Sequence, residues 1–110
     1  MSRRSGGLTE AAPLFAALGD ETRLALVARL CAGGPSSITQ LARGSAVTRQ
    51  AITKHLDVLA GAGLVADVRR GRERIWKLEA DRLDEARGYL DQISKRWDER
   101  LDRLKKLVED

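Results

Sequence analysis

The fold class this sequence predicts is mainly α with a small β-hairpin and a long C-terminal helix, and three observations predict it. Apolar residues recur at spacings of three and four through most of the 110 residues. The pattern switches to alternation only between about residues 64 and 78, around a glycine turn. From Asp81 to Glu109 there is no proline, and the only glycine is Gly88.

Length and composition set the frame. A chain of 110 residues can bury one core but not two. Apolar residues make up 43% and charged residues 33%, and no apolar run approaches the roughly 20 residues that span a bilayer, which predicts a soluble protein. The opening segment carries Arg3 and Arg4, but Glu10 and Pro13 interrupt the apolar stretch behind them, so a cytoplasmic location is expected. The one cysteine, Cys31, can form neither an intramolecular disulfide nor a metal site by itself.

The elements follow in order. Residues 1–7, rich in Ser, Arg and Gly, read as a flexible tail. A short helix then carries Leu14, Phe15 and Leu18, with Pro13 in its first turn and Gly19 as its end. Asp20 is a good N-cap for a helix from Glu21 to about Ala32, with Leu24, Val27, Ala28 and Cys31 on its inner face and Gly33-Gly34-Pro35 as its stop. Cys31 on that face reads as a core residue, with a thiol redox switch as the alternative. A very short helix capped by Thr39 runs up to Gly44, and after three residues Thr48 caps a second one ending at Gly61. In this second helix Ile52, Leu56 and Leu59 form the buried stripe, while Arg49, Gln50, Thr53 and Lys54 occupy the other face. Residues 64–70 and 73–78 pair as a hairpin turned at Gly71, and Arg69, Arg70, Arg72 and Arg74 crowd its tip. Trp76 is expected to anchor this hairpin, and Trp97 the last helix.

The last helix carries Leu83, Ala86, Leu90, Ile93, Trp97, Leu101, Leu104 and Val108 on one stripe, close to a heptad seam with a single slip. At about 1.5 Å per residue it is on the order of 40 Å long, more than a small domain covers, so part of the stripe calls for a second subunit.

Charge is unevenly distributed. The net +4 resolves into +1 for residues 1–42, +5 for residues 43–78 and −2 for residues 79–110. A basic middle third in a balanced chain is the electrostatic footprint of a phosphate-backbone binder, the alternative being a merely solvated surface.

Helix, turn, helix and basic hairpin in that order are the layout of a winged helix-turn-helix. Three stretches carry a further resemblance: Leu18-Gly-Asp-Glu-Thr-Arg, Thr48-Arg-Gln-Ala-Ile-Thr-Lys-His-Leu, and Ala62-Gly-Leu-Val followed by Arg70-Gly-Arg-Glu-Arg. Together they resemble the opening, recognition helix and wing of the ArsR family of regulators, over about residues 12–80. The resemblance implies a homodimer built through the first and last helices that binds a pseudo-palindromic operator in double-stranded DNA and represses transcription. It divides the chain into a DNA-binding domain over residues 8–80 and a dimerisation helix over residues 81–110.

Residue types then assign roles. Thr48 caps and can donate to a phosphate near the helix N-terminus. Arg49 and Gln50 are candidates for base edges, because arginine forks onto guanine and glutamine onto adenine. Thr53 and Lys54, one turn on, suit phosphate contacts. Arg69, Arg70, Arg72 and Arg74 suit phosphate or a narrow minor groove, unless they are solvated or paired with Asp67 or Glu73. For the single histidine, His55, two readings stand, a DNA-backbone contact and a helix-packing residue. The dimer seam falls to Leu14 and Phe15 of the first helix and to Leu90, Ile93, Trp97, Leu101 and Leu104 of the last.

No nucleophile, base and orienting group stand at motif spacing, so no catalytic residue, metal site or cofactor is expected. Metal-sensing relatives carry paired cysteines before the recognition helix or His and carboxylate sets on the last helix. Here both stretches lack Cys and His, which argues for a non-metal-sensing branch. No small-molecule effector is legible. A protein-interaction scaffold without specific DNA binding is the competing reading, and the basic hairpin tip weighs against it.

Overall fold

A computed structural model describes residues 8–109; the proposed tail, residues 1–7, lies outside them. The elements are α1 (Leu8–Leu18), α2 (Glu21–Gly33), β1 (Ser36–Ser37), α3 (Ile38–Ala42), α4 (Arg49–Gly61), β2 (Val65–Arg70), β3 (Glu73–Leu78) and α5 (Ala80–Glu109). The strands form one antiparallel sheet in the order β1-β3-β2.

One core holds these elements together. Leu14, Leu30, Leu41, Ile52, Leu56, Leu59, Leu64 and Trp76 are all at most 2% exposed, and with Val65 and Ala86 they draw the four short helices, the hairpin and the start of α5 into it. The stripe predicted on α4 is the one buried. Its N-cap is Thr48, whose Oγ1 accepts from the Ala51 N–H at 3.1 Å. Asp20 does the same for α2, accepting from the Arg23 N–H at 3.1 Å.

Three arginines set the angles between helices by serving as C-terminal caps in trans. Arg23 donates from Nε to the Ala17 carbonyl of α1 at 2.6 Å. Arg29 donates to the Gln40 carbonyl of α3 at 3.0 Å and also to that of Leu41. Arg82, on α5, donates from Nε to the Ala62 carbonyl that closes α4 at 3.0 Å. The last carbonyls of a helix lack intrahelical partners and carry the negative end of its dipole, so a guanidinium satisfies both demands.

Several expectations are corrected. The inner face of α2 is Leu26, Val27 and Leu30; Leu24, Ala28 and Cys31 point outward, so Cys31 is exposed rather than core. Both stripes have helical spacing, and packing against α4 and β3 selects the bulkier one. α3 is capped by Ser37, not Thr39: the Ser37 side chain accepts from the Gln40 N–H at 3.2 Å while Gln40 Oε1 accepts from the Ser37 N–H at 2.8 Å, a reciprocal capping box. Ser36 and Ser37 also pair with Trp76 and Ile75 as a third strand too short to show periodicity. Pro13 is an exposed residue inside α1 rather than in its first turn, where it forgoes one i→i−4 bond. Leu14 is 1% exposed within its own protomer, so it is a core residue and cannot lie directly on a dimer seam.

α5 is 30 residues long and only Ala86 on it is buried, with Leu83 partly buried against the core. Phe15 and Tyr89, ring centroids 6.0 Å apart, join α1 to its first turns. Beyond them Leu90, Ile93, Trp97, Leu101, Leu104, Leu107 and Val108 are exposed. No helix among the described residues is long and apolar enough to cross a membrane.

Candidate nucleic-acid interface

α3 and α4, joined by residues 43–48, form the helix-turn-helix, and α4 exposes its polar side. Thr48, Arg49, Gln50 and Lys54 are exposed, Thr53 and His55 half-buried. At 100° per residue Gln50 and Lys54 fall opposite Ile52, Leu56 and Leu59 and so face straight outward; Arg49 and Thr53 fall on one flank and His55 on the other. The Thr53 hydroxyl donates to the Arg49 carbonyl at 3.0 Å, leaving its lone pairs free to accept.

His55 ties α4 to the α1–α2 junction. Its Nδ1 lies 3.4 Å from Arg23 Nη1 and 3.8 Å from Asp20 Oδ2. A guanidinium only donates, so the contact with Arg23 is a hydrogen bond in the tautomer whose Nδ1 accepts. Asp20 is held below the usual carboxylate range, chiefly by the Arg23 backbone N–H it accepts from and further by the nearby Arg23 and His55 charges.

The wing is a two-residue hairpin in which Arg70 stands opposite Glu73 and Arg69 opposite Arg74. Gly71 takes φ +64° while Arg72 stays at negative φ, the pattern of a glycine-first hairpin turn. Like charges directly opposite repel, and the wing relieves this by drawing Arg74 back. Its Nε donates to Asp67 Oδ2 at 2.8 Å, and its guanidinium lies 4.7 Å from the centroid of the Trp76 ring. That hydrogen bond is the main cause of the lowered Asp67 pKa. Arg74 is therefore built into the wing, whereas Arg69, Arg70 and Arg72 extend from it.

The four wing arginines divide between two concavities. A cleft of about 220 Å³ between the wing and the starts of α3 and α4 is lined by Arg49, Arg69, Arg72 and Arg74, with Ser37, Ile38, Thr39 and Glu73. A second, of about 400 Å³, is lined by Arg70 with Arg43, Thr39, Gln40, Pro35, Ser37, Glu73 and Ile75. Arg43 and Thr39 were not among the sequence candidates. The charge tally of residues 43–78 included Arg43, but only folding brings it beside Arg70. Among the described residues no group of three or more His, Cys, Asp or Glu side chains is placed to hold a metal ion.

Comparison with known proteins agrees with this geometry. Residues 18–68 match a helix-turn-helix domain family. The chain is similar to the HTH-type transcriptional regulator Rv2034 of Mycobacterium tuberculosis, 43% identical over 77 residues that cover 70% of this chain and 71% of the relative. Its structure is similar to that of an ArsR-like transcriptional regulator from Rhodococcus sp. RHA1, with a TM-score of 0.77, 38% identity and coverage of 90% of this chain and 92% of the other. The fold also matches a homodimeric winged helix-turn-helix DNA-binding domain from Mycobacterium bovis, with a TM-score of 0.64, 24% identity and coverage of 87% and 85%.

Proposed function

The chain belongs to the ArsR-like family of winged helix-turn-helix transcriptional regulators, and from that premise we propose that it is a homodimeric, sequence-specific repressor that reads a pseudo-palindromic operator. In this reading residues 8–80 bind DNA and residues 81–110 dimerise. The observation that carries it is the arginine-lined cleft between α4 and the wing, where Arg49 meets Arg69, Arg72 and Arg74. Gln50 and Lys54, facing outward from the first two turns of α4, meet the major groove; Thr48 and Thr53 contact the strand beside it; Arg69, Arg70 and Arg72 reach the flanking backbone or minor groove. Arg74 and His55 support these contacts through the wing and the α2–α4 packing.

Dimerisation is supported by the exposed apolar row on α5. Leu90, Ile93, Trp97, Leu101 and Leu104 would be an unusual surface for a monomer, with Trp97 61% exposed. A groove of about 340 Å³ along Trp97, Leu101, Leu104 and Leu107 offers a seat for side chains of a second copy. Phe15, packed on Tyr89, extends this face onto α1. The M. bovis neighbour is described as homodimeric. A two-fold axis would present two α4 helices to successive major grooves about 34 Å apart.

The test is a footprint and gel-shift titration on the DNA upstream of its own gene against random duplex of equal length. A protected pair of half-sites and a clear preference for that DNA are expected; equal affinity for both duplexes would remove specific regulation. Leu90, Ile93 and Trp97 changed together to polar residues should yield a monomer by sedimentation with much weaker DNA binding, and an unchanged mass would remove the α5 seam.

A further inference from the structure

We propose that the cleft between the wing and α4 is the seat of one sugar-phosphate strand, and that Arg49 is a backbone contact rather than a reader of bases. This rests on the DNA-binding reading above and assigns its specificity.

In a duplex the major and minor grooves are separated by a single phosphate-bearing ridge. A protein that places α4 in one groove and extends a hairpin toward the next must straddle that ridge, and whatever lies between helix and hairpin meets phosphates. Between them lies the 220 Å³ cleft, with Arg49 on the α4 side and Arg69 and Arg72 on the wing side. Arg49 follows directly on the α4 N-cap and sits on the flank of the helix, toward the wing, not on the outward line of Gln50 and Lys54. Arg74 lines the same cleft but its Nε is taken by Asp67, so the guanidinium groups without a hydrogen bond among the described residues are those of Arg49, Arg69 and Arg72. Guanidinium forks suit phosphate oxygens, and three of them on two sides of a cleft suit a strand passing through it.

One acidic side chain, Glu73, lines the cleft as well. Facing a phosphate strand it repels, so it limits affinity without touching base readout. Sequence discrimination then falls to Gln50 and Lys54 on the outward face.

The experiment measures affinity for the upstream duplex and for random duplex across a salt series, in wild type and in three variants. Arg49→Ala is expected to weaken both duplexes by the same factor and to lower the salt slope by about 1. Gln50→Ala is expected to reduce the preference for the upstream duplex and to leave the slope unchanged. Glu73→Gln is expected to tighten both duplexes by a similar factor, a gain that misfolding cannot produce. The proposal is overturned if Arg49→Ala erodes the preference while keeping the slope, or if Glu73→Gln leaves both affinities unchanged. Wild-type protein that binds no duplex would instead overturn the DNA-binding reading itself.

Discussion

Arg29, on α2, donates to the main-chain carbonyl of Gln40 at 3.0 Å, across the turn that separates α2 from the helix-turn-helix. With its second bond to Leu41 it holds two consecutive carbonyls of α3, a helix of only five residues that could not stand on its own hydrogen bonds. Arg29→Ala should therefore cost roughly 1–2 kcal/mol in urea unfolding, less than a buried charged pair because the bonds are partly solvated. Arg29→Lys should recover less than half of that, since an ammonium cannot fork onto two carbonyls. Equal stability of the lysine variant and wild type would show that charge alone, not the fork, holds α3.

The acid limb of stability should trace to Asp20 and Asp67. Both carboxyls are lowered in the folded protein, Asp20 first by the Arg23 N–H and Asp67 first by the Arg74 side chain. A lowered folded-state pKa gives stability that is present above the unfolded value of about 4 and is lost as the pH falls through the folded value below it. Asp20→Asn keeps an N-cap oxygen but cannot titrate, so melting temperatures followed from pH 6 to pH 2.5 should fall less steeply than in wild type. Asp67→Asn should flatten the same limb and also loosen Arg74. A slope unchanged in the double variant would place the acid sensitivity elsewhere.

The two arginines at the wing tip should separate by readout. Arg72 has no protein partner in the hydrogen-bond network of the described residues, and Arg72→Ala should lower affinity for any duplex with a smaller salt slope and an unchanged melting temperature. Arg74 bonds Asp67 and stacks on Trp76, so Arg74→Ala should lower the melting temperature as well. The opposite pattern would mean that the stack is not what orders the wing.

Much of this architecture was legible in the residues, and the failures share a cause. Caps Asp20 and Thr48, the α4 stripe and the arginine-tipped hairpin depend on local chemistry, which sequence displays. The inner face of α2 does not: Leu24-Ala28-Cys31 and Leu26-Leu30 are both acceptable stripes, and the choice is made by what packs across from them. The Ser37-to-Gln40 capping box was present as a motif, but Ser37 and Thr39 are both good cap residue types, and the choice rests on where the chain turns into the helix. The grouping of Arg49 with Arg69 and Arg72, and of Arg43 with Arg70, joins positions 20 or more apart and has no local signature. Leu14 shows the limit most plainly, since an apolar residue on a first helix can serve the core or a seam, and only packing decides.

Two glycines should differ in cost for a reason that can be isolated. Gly71 and Gly63 both have positive φ, +64° and +79°, so alanine at either carries backbone strain of roughly 1 kcal/mol. At Gly71 an added Cβ meets nothing within 4 Å, and the penalty stops there. At Gly63 it would lie 3.0 Å from Nε and 3.2 Å from Cγ of Arg82, the side chain whose Nε caps α4 through Ala62. Arg82 must then give by a few tenths of an ångström and strain its bond to that carbonyl, so Gly63→Ala should cost more than Gly71→Ala, by up to about 1 kcal/mol. A double-mutant cycle tests the mechanism: in an Arg82→Ala background the cap is already gone and the clash has no partner, so Gly63→Ala should fall back to about the Gly71→Ala value. Additive costs would mean that the strain at Gly63 is borne by the backbone alone and that Arg82 merely passes nearby.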